Sequence, residues 1–144
     1  MSDYTRIDQL DLYRTFEAAA DWGWDCLDTM KPIHVWTFGK QMVDAADSVC
    51  ANLIEGGHRY GDADQIKFFV IALASAEEFI YWIRRAARQQ AIPKEQADAK
   101  VAEVQSACKQ LNSLISYRRS KPYKTREVLA HYAAAAEEGR QIED

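Results

Sequence analysis

The sequence predicts an all-α fold, an up-down-up-down four-helix bundle with a short C-terminal helical extension. Three observations predict it. Apolar residues recur at steps of three and four through four long segments. The segments are joined by short connections marked with Pro or Gly. The one β-like run, "IHVWTF", fits equally well as the start of a helix. The chain has 144 residues; a single domain of that size buries roughly 68–70% of its unfolded surface. The bundle is expected over 1–117, and 118–144 reads as a basic linker and a short acidic, Ala-rich helix.

The first helix is expected over about 8–30, where Leu12, Phe16, Ala19, Ala20, Trp24 and Leu27 recur near helical spacing. Gly23 is a soft spot within it, and Pro32 is expected to close it. The second helix is expected to begin near Trp36. It carries Phe38, Met42, Ala45, Val49 and Leu53 on one face, with Ala46, Cys50 and Ile54 beside it. It should stop at Gly56-Gly57, one of which is expected in the left-handed conformation that ends helices.

The third helix opens after "GDAD", where Asp62 or Asp64 is expected to accept hydrogen bonds from free backbone N–H groups and to complement the helix dipole. It shows two apolar stripes, Ile66, Val70, Leu73, Ile80, Ile83, Ala87 and Phe68, Ala72, Ser75, Phe79, Trp82, Ala86. A helix apolar on two sides must be covered on both, so Phe68, Phe79 and Trp82 are candidates for an oligomer interface. The fourth helix starts around Pro93, a residue suited to a first helical position. Val101, Val104, Cys108, Leu111 and Ile115 step by 3, 4, 3, 4 along it, the seam of antiparallel bundle packing. After "SYRRSKPYKTR", a last short helix is expected over about 127–138.

Composition narrows the function classes. The longest uncharged apolar run, "FFVIALASA", is about half the ~20 residues of a membrane span. The N-terminus "MSDYTRIDQLD" lacks the charge and hydropathy of a signal peptide. A soluble, cytoplasmic protein without a membrane partner is expected. Cys26, Cys50 and Cys108 are odd in number, far apart and on apolar faces, which points to buried thiols rather than disulfides or metal ligands. The net charge of −4 is unevenly spread, with −5 over 1–30, zero over 31–90, +5 over 91–126 and −4 over 127–144.

Two motifs carry a resemblance. "SVCANLIEGGHRY" followed by "DQIKFFVIALASAEEF" places Ser48, Val49, Asn52, Leu53, Glu55, Gly56 and Arg59, then Phe68, Ile71 or Ala72, Ala74, Ser75 and Glu78, in one order and spacing. This resembles the four-helix-bundle proteins encoded in intervening sequences of bacterial 23S rRNA genes, over about 8–117. The resemblance implies a small bundle that assembles as a ring, typically a homopentamer, with no established enzymatic activity. Related accessory proteins of diversity-generating retroelements bind nucleic acid and a reverse transcriptase, so RNA, DNA or a reverse-transcriptase-like protein becomes a candidate partner. Val43 and Asp44 stand where the family commonly has a basic pair, and the segment after 117 has no counterpart in its short members.

Candidate chemistry is sparse. Glu55 and His58 have the E-x-x-H spacing of di-iron bundles, but neither His34 nor His131 supplies a second such pair. The glycines of "NLIEGGHRYGD" follow a helix instead of a strand, which argues against a phosphate loop. Ser48, Asn52, Glu55 and Arg59 lie at i, i+4, i+7 and i+11. Together with Ser75 and Glu78 they are expected to form a hydrogen-bonded network or an exposed assembly strip. Arg118, Arg119, Lys121, Lys124 and Arg126, interleaved with Tyr117 and Tyr123, are the candidate nucleic-acid contacts, because cations neutralise phosphates and aromatic rings stack on bases. Trp22, Trp24, Trp36 and Trp82 read as core or interface anchors. No catalytic constellation is legible, and no cofactor or metal is expected. The expected function is that of a non-catalytic oligomeric module that binds nucleic acid or a nucleic-acid enzyme. The alternative is a protein–protein adaptor that binds no nucleic acid.

Overall fold

The structure, a computed structural model, describes residues 6–120. The expected C-terminal helix lies outside the described residues, as do Lys121, Tyr123, Lys124 and Arg126. Within them the chain forms a short 3-10 turn, Ile7–Gln9, and four long helices, with no strand among the described residues. Helix α1 is Asp11–Leu27. Helix α2 is built of three abutting pieces, Pro32–His34, a π-helical turn Val35–Gly39 and Lys40–Gly57. Helix α3 is Asp62–Arg88 and helix α4 is Lys94–Arg119. Each helix packs on its neighbours in the chain and α1 closes the circle against α4, the up-down-up-down arrangement.

The α1–α2 junction differs from the sequence expectation. Residues 28–30 leave the α-helix through a tightened turn, in which Asp28, Thr29 and Met30 donate from backbone N–H to the carbonyls of Asp25, Cys26 and Leu27. Pro32 does not close α1; it is the first residue of α2, where its missing N–H leaves no bond unmade. The second helix therefore starts four residues earlier than expected. It passes through a π turn in which the Thr37 hydroxyl donates to the Ile33 carbonyl at 2.7 Å.

The other junction corrects a second expectation. Neither Gly56 nor Gly57 has a positive φ, and α2 runs through both. They are small because neighbours come close. A Cβ at Gly56 would lie 2.8 Å from Cε1 of Phe69, and one at Gly57 would lie 2.7 Å from Cγ2 of Ile7. Neither Asp62 nor Asp64 occupies the N-cap position of α3. Gly61 takes the N-cap position with no side-chain bond, and both aspartates lie in the first turn, where their charge helps the dipole. Pro93 is likewise the N-cap of α4 and not its first residue.

The core is one cluster drawn from all four helices. Phe16, Phe69, Phe79, Met42, Leu53, Ile80, Ile83 and Leu111 are its largest wholly buried members. The expected α4 seam, Val101, Val104, Cys108, Leu111 and Ile115, is buried throughout. On α1 it is Gly23 and Cys26 that face inward, while Trp24 stays half exposed and donates from Nε1 to Asp47 at 2.9 Å. On α3 the buried line is Gln65, Phe69, Ala72, Ala76, Phe79, Ile80, Ile83 and Ala86. Val70, expected on a packed stripe, remains on the surface.

Candidate functional site

The residues singled out on α2 and α3 meet along the outer groove between these two helices. Ser48 Oγ and Ser75 Oγ are 2.9 Å apart. Asn52 Nδ2 donates to the Ser48 carbonyl at 2.8 Å and to Ser48 Oγ at 3.0 Å. The three side chains are half-buried, so these bonds are shielded from water and fix the register of α2 against α3. The rest of the expected network is separate from them. Glu55 pairs with Arg59 one turn on, and the Arg59 guanidinium lies over the Phe68 ring, 4.7 Å from its centroid. Glu78 turns outward and accepts from Trp82 Nε1 at 3.2 Å. The expected line of six is thus a three-residue polar joint, an exposed ion pair and an exposed Glu–Trp contact. Each long acid is satisfied by a partner on its own helix before it can reach the joint.

The three candidate interface residues divide as well. Phe68 and Trp82 sit half-buried at the surface. Phe79 does not: it is 1% exposed, and its ring edge approaches Gly23 of α1, so it belongs to the core of the bundle. Ile71, 40% exposed, lies between Phe68 and Ser75 on the outer face and was not among the expected interface residues. Its signal was present in the motif, but a run as apolar as "FFVIALASA" gives no phase from which to choose the outward positions.

The basic cluster is only partly where the sequence placed it. The Arg118 guanidinium donates to Gln65 Oε1 and lies over the Phe69 ring, while Gln65 Nε2 donates to the Arg59 carbonyl at 2.9 Å. Arg118 is therefore a strut tying the end of α4 to the α2–α3 turn, and not a free phosphate contact. Arg119 is exposed. Val43, in place of a basic residue, is buried, and Asp44 is paired with Lys40 at 2.6 Å.

The stretch "NLIEGGHRYGD" encloses an open groove of about 340 Å³ lined by Glu55, His58, Arg59, Tyr60, Gly61 and Asp64. Glu55 is already engaged by Arg59 there. Among the described residues no three His, Cys, Asp or Glu side chains are placed to hold a metal ion. The thiols are unpaired, and burial pushes Cys26 up to about 11 and both Cys50 and Cys108 up to about 12. At neutral pH they stay protonated and are poor nucleophiles. No helix of the described residues is long and apolar enough to cross a membrane.

The family model for 23S rRNA-intervening sequence proteins matches residues 8–113. A crystal structure of a protein of unknown function, from the S23 ribosomal protein family of Bacteroides thetaiotaomicron VPI-5482, superposes with a TM-score of 0.64 at 23% identity. The match covers 72% of this chain and 97% of that one. At that identity the likeness concerns the fold alone. No functionally curated protein matches the chain.

Proposed function

The chain belongs to the 23S rRNA-intervening sequence protein family, and from that premise we propose that it is a cytoplasmic, non-catalytic bundle that self-associates as a homopentameric ring and binds nucleic acid or an enzyme acting on it. The observation that carries the self-association is the outer face of α3. There Phe68 and Trp82, half-buried, and Ile71, 40% exposed, leave apolar surface beside the half-buried Ser48–Asn52–Ser75 joint. Apolar patches rimmed by polar residues are the usual mark of a protein interface. Sedimentation velocity tests the proposal. The wild-type chain is expected to run as an oligomer at micromolar concentration, and Ile71→Glu is expected to run as a monomer with unchanged helical content. A monomeric wild type would overturn the assembly. The net charge of −4 favours a second reading, a protein–protein adaptor. It would be preferred if the oligomer forms and binds no RNA or DNA at low salt.

A further inference from the structure

Lys67 on α3 and Lys109 and Arg119 on α4 are exposed without an ion pair among the described residues, each well apart from the others in sequence. The remaining cations of the bundle fall into two kinds. Arg6, Arg14, Lys40, Arg59, Lys94 and Lys100 each contact a carboxylate three or four residues away or nearer, and Arg118 is taken up by Gln65. Arg84, Arg85 and Arg88, at the C-terminal end of α3, are exposed and make no side-chain hydrogen bond or ion pair within the described residues. The reason is written in the sequence. None of the positions three or four residues before or after them is acidic, and the nearest acids along the helix, Glu77 and Glu78, lie about two turns back.

These three arginines share an outward face with Tyr81, which is 54% exposed and braced edge-on by Trp82 at 4.9 Å between centroids. Tyr81, the Arg84-Arg85 pair and Arg88 therefore occupy three successive turns, about 5.4 Å apart. Beyond Arg88 the surface opens into a polar cleft of about 240 Å³ whose lining includes Lys31, His34, Gln89 and Gln90. Lys31 is exposed and also makes no ion pair among the described residues. Among the described residues of a protein with an overall charge of −4, three neighbouring arginines thus form a ridge without acidic partners, carrying a braced ring at one end and amide side chains at the other.

The geometry points to this ridge as a binding surface for single-stranded nucleic acid, and the assignment rests on the nucleic-acid reading given above. The guanidinium forks are free for phosphate oxygens. The Tyr81 face is open for an unpaired base, and Gln89 and Gln90 offer donors and acceptors to base edges. An acidic protein segment would use the cations alone and would leave the ring and the amides without a role. In a ring the ridge recurs on every copy, so a strand long enough to touch several copies gains avidity without new contacts.

Fluorescence anisotropy with a labelled single-stranded RNA of mixed sequence tests this on the full chain. The exposed triple variant Arg84→Gln, Arg85→Gln, Arg88→Gln keeps good helix formers, and circular dichroism checks its fold. Arg14→Gln, Lys40→Gln, Lys94→Gln removes the same charge from paired positions. Neutralising three phosphate contacts is expected to make the dependence of log affinity on log salt shallower by about 2. Raising salt from about 50 to about 200 mM should then weaken the wild type roughly 20-fold more than the ridge variant. Tyr81→Ala is expected to lose on the order of tenfold in affinity, and the control triple should retain the wild-type salt dependence. If the wild type binds and the ridge variant binds equally with the same salt slope, the ridge is overturned while nucleic-acid binding stands. If the wild type binds no RNA at low salt, the nucleic-acid reading itself fails and the ridge fails with it. Displacement of the RNA by polyglutamate as readily as by unlabelled RNA would assign the ridge to an acidic protein and overturn it as a nucleic-acid surface.

Discussion

A methyl group added at Gly56 would stand 2.8 Å from Cε1 of Phe69 and 2.9 Å from Cβ of Phe68, and a Cβ is fixed to its backbone. The gain in helix propensity on Gly56→Ala, about 1 kcal/mol, is opposed by a forced shift of α3 costing about 1–3 kcal/mol. Net destabilisation is expected, read as a lower urea midpoint at unchanged slope. The glycine pair was legible as something special, but its purpose was not, because that depends on where the ring of another helix arrives. The thiols make a second prediction at this scale. Unfolded cysteines titrate near 9.0, whereas burial holds Cys26 at about 11 and Cys50 and Cys108 at about 12. Because the folded values are raised, the stability they contribute is complete below pH 9 and is lost as pH rises from there towards 12. Urea midpoints should fall between about pH 8 and about pH 10.5, and the fall should be smaller in a variant carrying Cys50→Ala and Cys108→Ala.

At the scale of the helices, the turn joining α3 to α4 holds the one positive-φ residue that is not glycine among the described residues, Gln90 at φ 61°. The left-handed region costs an L-residue about 1–2 kcal/mol, against a glycine entropy cost of roughly 0.5–1 kcal/mol. Gln90→Gly is therefore expected to stabilise the bundle by up to about 1 kcal/mol, measurable as a rise in melting temperature. All four helices were legible from their apolar spacing, and the α4 seam was read residue for residue, because polar residues separate its apolar positions. The phase of α3 was harder to read. Between Phe68 and Ala76 nearly every position is apolar, so the choice of Phe69, Ala72 and Ala76 as the inward line came from packing against α2 and α4. Pro32 was ambiguous for a related reason: a proline both ends one helix and begins the next, and only the tight turn over 28–30 decides between them.

For the whole molecule, pairing distinguishes cations that hold the fold, such as Arg118, from those left exposed among the described residues, such as Arg84, Arg85 and Arg88. Sequence alone drew attention to the density of basic residues after Tyr117, and the fold withdrew Arg118 from that group by giving it Gln65 and Phe69 as neighbours. The arginines of α3 were fewer and less conspicuous, yet the lack of any acid at helical spacing was visible in the chain from the outset. The polar joint was half legible: Ser48, Asn52 and Ser75 meet as their spacing suggested, while Glu55 and Glu78 found nearer partners. The two ends of the described chain share one location. Ile7 packs at Gly57 and Arg118 reaches Gln65, so both lie at the α2–α3 turn, and Arg88 lies roughly 35 Å away at the far end of α3. A tag or tether joined at either end of the bundle would therefore anchor the molecule by one pole and leave the arginine ridge facing solvent at the other.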